Sequence, residues 1–334
     1  MAKKDIVLTG DRPTGPLHLG HFVGSLQKRV ELQDKYKQFV MIADWQGFTD
    51  NFDNPQKLRD NVTQVMLDYL AVGIDPKKTT FFIQSLIPQI AELYFIYLNF
   101  VTVSRLGRNP TVKAEIQQKG YGENLTAGFL TYPVHQAADI TIVKGTLVPA
   151  GADQNPIIEQ SNEIVRKFNS TYNVDIFPEI KIVESAVSRL PGTDGKAKMS
   201  KSMGNAIFLC DTEDVVAKKV MTMYTDPDHI KVDMPGKIDG NTVFAYLDVF
   251  DTDKQMVESL KAQYQAGGLG DVKVKKYLIE VLNNFLEPIR LRRNEFAQDK
   301  EAVLDIVIKG SEQVRCIAAD TMLEVRKAIH LDYI

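Results

Sequence analysis

Two pairs of side chains in this sequence have the types and spacing for chemistry on phosphate. His18 and His21 stand in the run Gly10-Asp-Arg-Pro-Thr-Gly-Pro-Leu-His-Leu-Gly-His21. Three residues apart, they share one face of a first helical turn, and each imidazole can donate to an anionic oxygen. Glycines at 10, 15 and 20 permit close approach of backbone or ligand, while Pro13 and Pro16 stiffen the loop. Far downstream, Leu190-Pro-Gly-Thr-Asp-Gly-Lys-Ala-Lys-Met-Ser-Lys-Ser202 carries Lys198 and Lys201 on a Gly- and Ser-containing loop. Taken singly, the histidines could be a surface pair or half a metal site, and the lysines a solvated loop. Together they suit a reaction in which the protein positions a phosphate and neutralises a leaving group. Asp139 poses a separate problem. It sits among Ala137, Ala138 and Ile140, and a carboxylate on an apolar face needs a partner. A lysine or a helix cap would serve. So would an N–H donor on a bound ligand.

The elements that must position these residues read as α/β. Ile6-Val-Leu-Thr9, Phe39 to Ala43, Thr79 to Gln84, Leu147 to Gly151 and Lys181 to Val183 read as buried strands. The loop from Gly10 to His21 joins the first of these to a helix N-terminus, which suits a bound phosphate. Helical periods over Pro55 to Gly73, Pro88 to Val103, Leu125 to Val143 and Pro156 to Phe168 alternate with the strands. That order predicts a doubly wound parallel sheet with ligand-facing residues at its carboxyl edge. Between residues 104 and 124 the pattern weakens and turns polar and basic, which predicts an inserted, mobile segment. Beyond about residue 190 almost everything is helical. The expected domains are therefore a Rossmann-like catalytic region over 1–187, the lysine loop over 188–205, and an all-α region over 206–334.

Composition narrows the class without naming it. The 334 residues are 44% hydrophobic and 25% charged, enough for a core without metal or disulfide staples. A net charge of −3 and a pI near 6.0 provide no global basic field, so any RNA contact must come from local patches. Cys210 and Cys316 lie far apart and match no metal spacing. Without an apolar signal core or an apolar run of spanning length, the chain is expected to be cytoplasmic and free of the membrane.

His18-Leu-Gly-His21 resembles the HxGH signature of class I aminoacyl-tRNA synthetases and related nucleotidylyltransferases, and Lys198-Met-Ser-Lys-Ser202 is a full match to the second signature of that class. Leu130-Thr-Tyr-Pro133, Ala137-Ala-Asp-Ile140, Gly151-Ala-Asp-Gln154 and Leu70-Ala-Val-Gly-Ile-Asp-Pro76 extend the likeness over nearly the whole chain. They make it resemble the bacterial-type tryptophanyl-tRNA synthetases. The resemblance implies ATP-dependent activation of tryptophan and its transfer to tRNA(Trp) by a homodimer. It implies catalytic roles for His18, His21, Lys198 and Lys201. It implies ATP contacts from Arg12, Pro13, Thr14, Gly20, Gly151, Ala152, Asp153, Leu190, Met199, Ser200 and Ser202. Asp139 would accept the indole N–H, and Tyr132 and Gln154 would hold the substrate ammonium. Lys113 could reach the phosphates. Mg²⁺ would arrive with ATP, with no structural metal in the protein.

The sequence departs from the family in three places. It keeps both histidines, which many bacterial members have lost. It has Arg12 where many carry glutamine, and Val134-His135-Gln136 where the set is usually more apolar. Arg290, Arg292, Arg293 and Lys300 are candidate RNA contacts, although such a run on a helix is commonly a solvated face. Trp45 and His135 receive no chemical role. Three other readings are open: a tyrosine enzyme, since a phenol can also donate to Asp139; a small-molecule adenylyltransferase, which would not need the long helical region; and a non-enzymatic tryptophan- or RNA-binding paralogue, which would be expected to lose signature residues. The chain ends soon after its last helix with no further RNA-binding region, an expectation favouring tryptophan over tyrosine.

Overall fold

The computed structural model describes residues 5–184, 190–196, 198–201 and 203–333. Five strands form one parallel sheet: β1 (Ile6–Asp11), β2 (Lys37–Ile42), β3 (Thr79–Ile83), β4 (Leu147–Ala150) and β5 (Lys181–Glu184), in the order β3-β2-β1-β4-β5. The inner strands were legible as short apolar runs, as strands buried on both faces must be; β5, an edge strand exposed at Lys181 and Glu184, was marked only by Ile182 and Val183. In register, β1 pairs with β2 from Ile6 opposite Lys37 to Asp11 opposite Ile42, and with β4 at Val7 opposite Leu147. The strand order reverses between β1 and β4. At such a switch point the loops leaving the two strands diverge and open a crevice at their carboxyl ends. Gly10 to Gly15 leaves β1 there, and Gly151 to Gln154 leaves β4.

The helices are α1 (Leu19–His21), α2 (Gln27–Leu32), α3 (Asp44–Phe48), α4 (Pro55–Ala71), α5 (Pro88–Tyr97), α6 (Val103–Gly107), α7 (Pro110–Lys119), α8 (Ala127–Ile142), α9 (Asn155–Tyr172), α10 (Glu213–Met221), α11 (Thr242–Phe250), α12 (Lys254–Ala266), α13 (Asp271–Phe296) and α14 (Lys300–Ala328). None of them is long and apolar enough to cross a membrane. The chain forms two compact units, Met1–Gly15 with Lys28–Ser185 and Asp299–Ile334, and Pro16–Gln27 with Ala186–Gln298. The expected boundary at residue 187 falls outside the described residues.

In the first unit, Phe39, Met41, Phe82, Ile90, Leu93, Ile140 and Phe168 belong to one buried core. A polar triad is buried at the end of β1. Arg29 Nη1 donates to Asp11 Oδ2 at 2.7 Å, and Tyr69 Oη donates to the same oxygen at 2.9 Å. Breaking such a buried pair on one side costs about 3–5 kcal/mol, so the triad fixes the strand end from which the histidine loop departs. The last helix, which the sequence placed in the all-α region, lies in this unit. β3 is an edge strand, and α14 runs along it: Ile83 N–H donates to Ser311 Oγ at 3.0 Å. A Cβ on Gly310 would lie 1.9 Å from the Phe81 carbonyl oxygen, so only glycine lets the helix come this close. The helix thereby covers an edge whose free backbone groups would otherwise invite aggregation.

The segment from 104 to 124 is more regular than its pattern predicted. It forms α6, α7 and a short turn over Gly122–Asn124. The helix is stabilised by polar contacts rather than by an apolar stripe, which is why no period is visible. Asn109 is fully buried; its Oδ1 accepts from Thr111 N at 3.0 Å, and its Nδ2 donates to Pro156 O at 3.0 Å and Gln160 Oε1 at 2.7 Å. In the second unit, α11 and α10 pack on α13, and Val216, Val220, Phe244, Leu247, Leu278, Leu282 and Leu286 on these helices are buried.

Candidate active site

Asp139 is fully buried on α8, and the carboxyl edge of the sheet surrounds it. Gln84, just past β3, donates from Nε2 to Asp139 Oδ1 at 2.7 Å. Gln46, on α3 just past β2, donates from Nε2 to Asp139 Oδ2 at 3.1 Å. Gln84 Oε1 accepts the Gln46 backbone N–H at 3.1 Å, which closes a ring of contacts through Asp139, Gln84 and Gln46. Burial pushes the Asp139 carboxyl up; His135 and the two amides oppose that shift, and Asp44 adds to it. Asp44 is itself raised by burial, against hydrogen bonds from the Ser85 hydroxyl and the Ser85 and Trp45 backbone N–H groups. His135 sits one helical turn before Asp139, its ring 5.8 Å from Trp45 and 5.1 Å from Tyr94.

Seven residues separate Tyr132 from Asp139, close to two turns, so both lie on one face of α8. Burial pushes the Tyr132 hydroxyl well up, as do the charge of Glu115 and a hydrogen bond with it. Glu115 belongs to α7, and two further contacts tie that helix to the same edge. At its start, Thr111 Oγ1 donates to the Asp153 carbonyl at 3.0 Å. At its end, Lys119 Nζ and Tyr121 Oη both donate to Asp50, the latter at 3.0 Å. Arg12 Nη1 reaches the same carboxylate at 2.7 Å. Gly151 to Gln154 form a tight turn after β4 in which Asp153 is exposed and Gln154 Nε2 stands 3.5 Å from Asp153 Oδ2. Lys113 is exposed on α7.

The second unit holds the two signatures in contact with each other. Leu17 to Leu19 is tied to the segment after the lysine loop: Leu19 N–H donates to Ile207 O and Leu209 N–H to Leu17 O, both at 3.0 Å, with His18 opposite Phe208 in an antiparallel bridge. Gly20 N–H points at Met199 Sδ, 3.3 Å away. A Cβ on Gly20 would stand 3.0 Å from the His18 ring and 3.4 Å from Met199 Cβ, a tight fit in which the His18 ring would have to shift by a few tenths of an ångström. The His18 and His21 rings lie 3.8 Å apart. His18 N–H donates to His21 Nδ1 at 3.2 Å, so a neutral His21 carries its proton on Nε2. After His21 the helix widens into a π turn over Phe22–Leu26, a deformation common at functional sites.

The lysine loop is built on Asn205, which the sequence reading missed. Its Oδ1 accepts from Ser200 N at 2.9 Å, its Nδ2 reaches Asp194 Oδ1 at 3.1 Å, and its carbonyl accepts from Thr193 N at 2.9 Å. Met199 N–H donates to Leu190 O at 3.3 Å, and both residues are buried. Lys198 is exposed and Lys201 half-buried. Ser202 lies outside the described residues.

Gln46, Gln84, Asp50 and Glu115 also escaped the sequence reading. The first two had a readable signal, since each follows a strand at the carboxyl edge. The other two are ordinary surface acids in sequence. Of the candidate RNA contacts, Arg290 is engaged within its own unit, donating to Asp211 O at 3.2 Å and Asn283 Oδ1 at 3.0 Å.

Residues 2–287 match the family described as tRNA synthetases class I (W and Y). A tryptophan–tRNA ligase of Clostridium longisporum is 58% identical over 334 residues, covering 99% of this chain and 98% of that protein. One from Lactococcus lactis is 56% identical over 337 residues, covering 99% of each. The crystal structure of tryptophanyl-tRNA synthetase from Campylobacter jejuni, complexed with ADP and tryptophan, matches with a TM-score of 0.82 at 31% identity, over 98% of this chain and 100% of that one. The parallel sheet with its switch point and the paired signatures define a class I aminoacyl-tRNA synthetase. Within that class, the chain belongs to the bacterial-type tryptophanyl-tRNA synthetases.

Proposed function

We propose that His18, His21, Lys198 and Lys201 carry the activation step of this chain's reaction, and that Asp139, Tyr132 and Gln154 hold its amino acid. The reaction is that of the family: ATP and tryptophan give tryptophanyl-adenylate and pyrophosphate, and the tryptophanyl group passes to tRNA(Trp). In the first step a tryptophan carboxylate oxygen attacks the α-phosphorus in line, and the bond to the pyrophosphate oxygen breaks. The His18 N–H on His21 Nδ1 leaves Nε2–H as the ring's donor, which supports a role for His21 toward a phosphate oxygen. Lys198 and Lys201 neutralise the charge that moves onto the leaving pyrophosphate, an interaction worth most in the transition state. The family likeness assigns ATP contacts to Arg12, Pro13, Thr14, Gly20, Leu190, Met199, Ser200 and Ser202, and contacts with the adenosine to Gly151, Ala152 and Asp153. Mg²⁺ enters on the ATP substrate.

The observation that carries this reading is the contact of Gly20 with Met199, which couples the histidine signature to the lysine signature within one unit. The homodimer is a proposal from the family likeness. A cytoplasmic location is likewise a proposal from that likeness. The test is amino-acid-dependent ATP–pyrophosphate exchange with tryptophan, tyrosine and phenylalanine in parallel. Exchange with tryptophan alone is expected. Exchange with tyrosine would overturn the pocket assignment, and no exchange from folded protein with MgATP would overturn the catalytic one.

A further inference from the structure

We propose that Gln84, seconded by Gln46, is the positioning residue that sets selectivity for the indole N–H, by holding the Asp139 carboxylate as a pure acceptor. The inference rests on the reading of Asp139 as the indole acceptor and goes one layer beneath it.

The geometry leaves Gln84 one role. Its side chain is fully buried at the end of β3. Its carbonyl oxygen accepts the Gln46 backbone N–H at 3.1 Å, so the amide has one sensible orientation, and its NH₂ must face Asp139 Oδ1 at 2.7 Å. Gln46 Nε2 supplies Asp139 Oδ2 with a second donor at 3.1 Å. Both oxygens of the buried carboxylate thus meet amide N–H groups. A proton on either oxygen would weaken that oxygen as an acceptor for the amide facing it. Neutral amides solvate the charge without cancelling it, unlike a lysine or arginine. An ionised carboxylate has about four acceptor positions, so two remain for another donor. The indole N–H fits that vacancy in hydrogen-bonding capacity, and a ring without a donor leaves a buried charge short of a partner. The same ring of contacts ties β2 and β3 to α8, so the acceptor is fixed before the amino acid arrives.

The titratable groups that face Asp139 are Asp44, at the head of α3, and His135, on α8 itself; α5 contributes Tyr94, whose ring lies against His135. Removing an amide donor leaves burial less opposed and moves the Asp139 carboxyl further up. Tryptophan binding should then weaken as pH falls and recover as pH rises.

The experiment is pyrophosphate exchange by the full-length enzyme, with tryptophan against β-(3-benzothienyl)alanine, in which sulfur replaces the indole N–H. In Gln84→Met the preference for tryptophan is expected to fall by about tenfold, the scale of one hydrogen bond to a charged group. The loss should fall on the amino-acid KM rather than on kcat, with ATP KM unmoved. Tryptophan KM should also acquire a pH dependence, decreasing as pH rises, that persists in a His135→Asn background. Gln46→Met should move both readouts the same way by less, and it decides the matter if Gln84→Met does not fold. A native preference and the native pH profile in the folded variants would overturn the proposal. Asp139→Asn separates the two levels. If it keeps the native preference, Asp139 is not the indole acceptor at all. If it loses the preference while the glutamine variants keep it, only the role of Gln84 and Gln46 falls.

Discussion

At the scale of single residues, the side chains proposed for the chemistry stand out because their types are rare in combination, while the residues that support them do not. Two histidines flanking a glycine and two lysines in a Gly/Ser loop stand out in any sequence. Asn205 does not, although it orders the loop that carries both lysines, with its side chain and carbonyl each engaged. Gln84 reads as one more polar residue at a strand end until its partner on α8 is known. A lysine that acts on the leaving group should show its value in the transition state rather than in the ground state. Lys201→Ala is therefore expected to lower kcat for pyrophosphate exchange by about 10²-fold or more, with tryptophan KM little changed. A change confined to tryptophan KM would move Lys201 out of this role. Tyr132 offers a second contrast. Its helical face was predictable from its spacing to Asp139, whereas Glu115, which shares a hydrogen bond with it, comes from a segment whose sequence announces nothing.

Among the elements, α7 is the one the sequence concealed, and its attachment makes a pH-dependent prediction. Three donors converge on Asp50: Lys119 and Tyr121 from the end of α7, and Arg12 from the loop after β1. Burial pushes the Asp50 carboxyl up. The Lys119 hydrogen bond, the charges of Arg12 and Lys119, and the Tyr121 hydroxyl outweigh it and hold the group below the usual carboxylate range. A depressed carboxyl stabilises the docked helix at any pH above the free-chain value of about 3.9, and that contribution is lost as pH falls through the lower, docked value. Asp50→Asn should therefore speed amide hydrogen exchange across α7 at neutral pH, and the variant-to-native ratio should shrink towards one as pH falls to about 3. Equal exchange in the two proteins at neutral pH would show that α7 is held by its Asn109 cap and not by Asp50. The inner strands, by contrast, were legible because a parallel sheet buried on both faces leaves continuous apolar runs, whereas a helix held by a buried cap and ion pairs leaves no period.

For the molecule as a whole, the order of fold classes along the chain was readable, but the assignment of its last helix was not. The chain leaves the first unit at Gly15, returns at Lys28, leaves again after Ser185 and returns at Asp299. Periodicity reports that a segment is helical and which face is apolar; it does not report what covers that face. The apolar face of α14 reads equally well as part of an all-α region. The decisive sites are small: Gly310 against the Phe81 carbonyl and Ser311 on the Ile83 N–H. Arg326 adds a paired contact to Glu92 at 2.7 and 2.6 Å. If α14 is part of the sheet's core, Gly310→Ala must push helix and strand apart, an overpacking change that costs about 1–3 kcal/mol or more and lowers Tm by several degrees. Removing residues 299–334 should go further. It uncovers the edge of β3 together with Val314, Ala318, Met322 and Val325, which are buried in the first unit's core, and so should yield aggregating protein without pyrophosphate exchange. A helix that served only RNA would behave oppositely. Its loss would spare Tm and tryptophan activation while abolishing aminoacylation of tRNA, and that result would return α14 to the role its sequence first suggested.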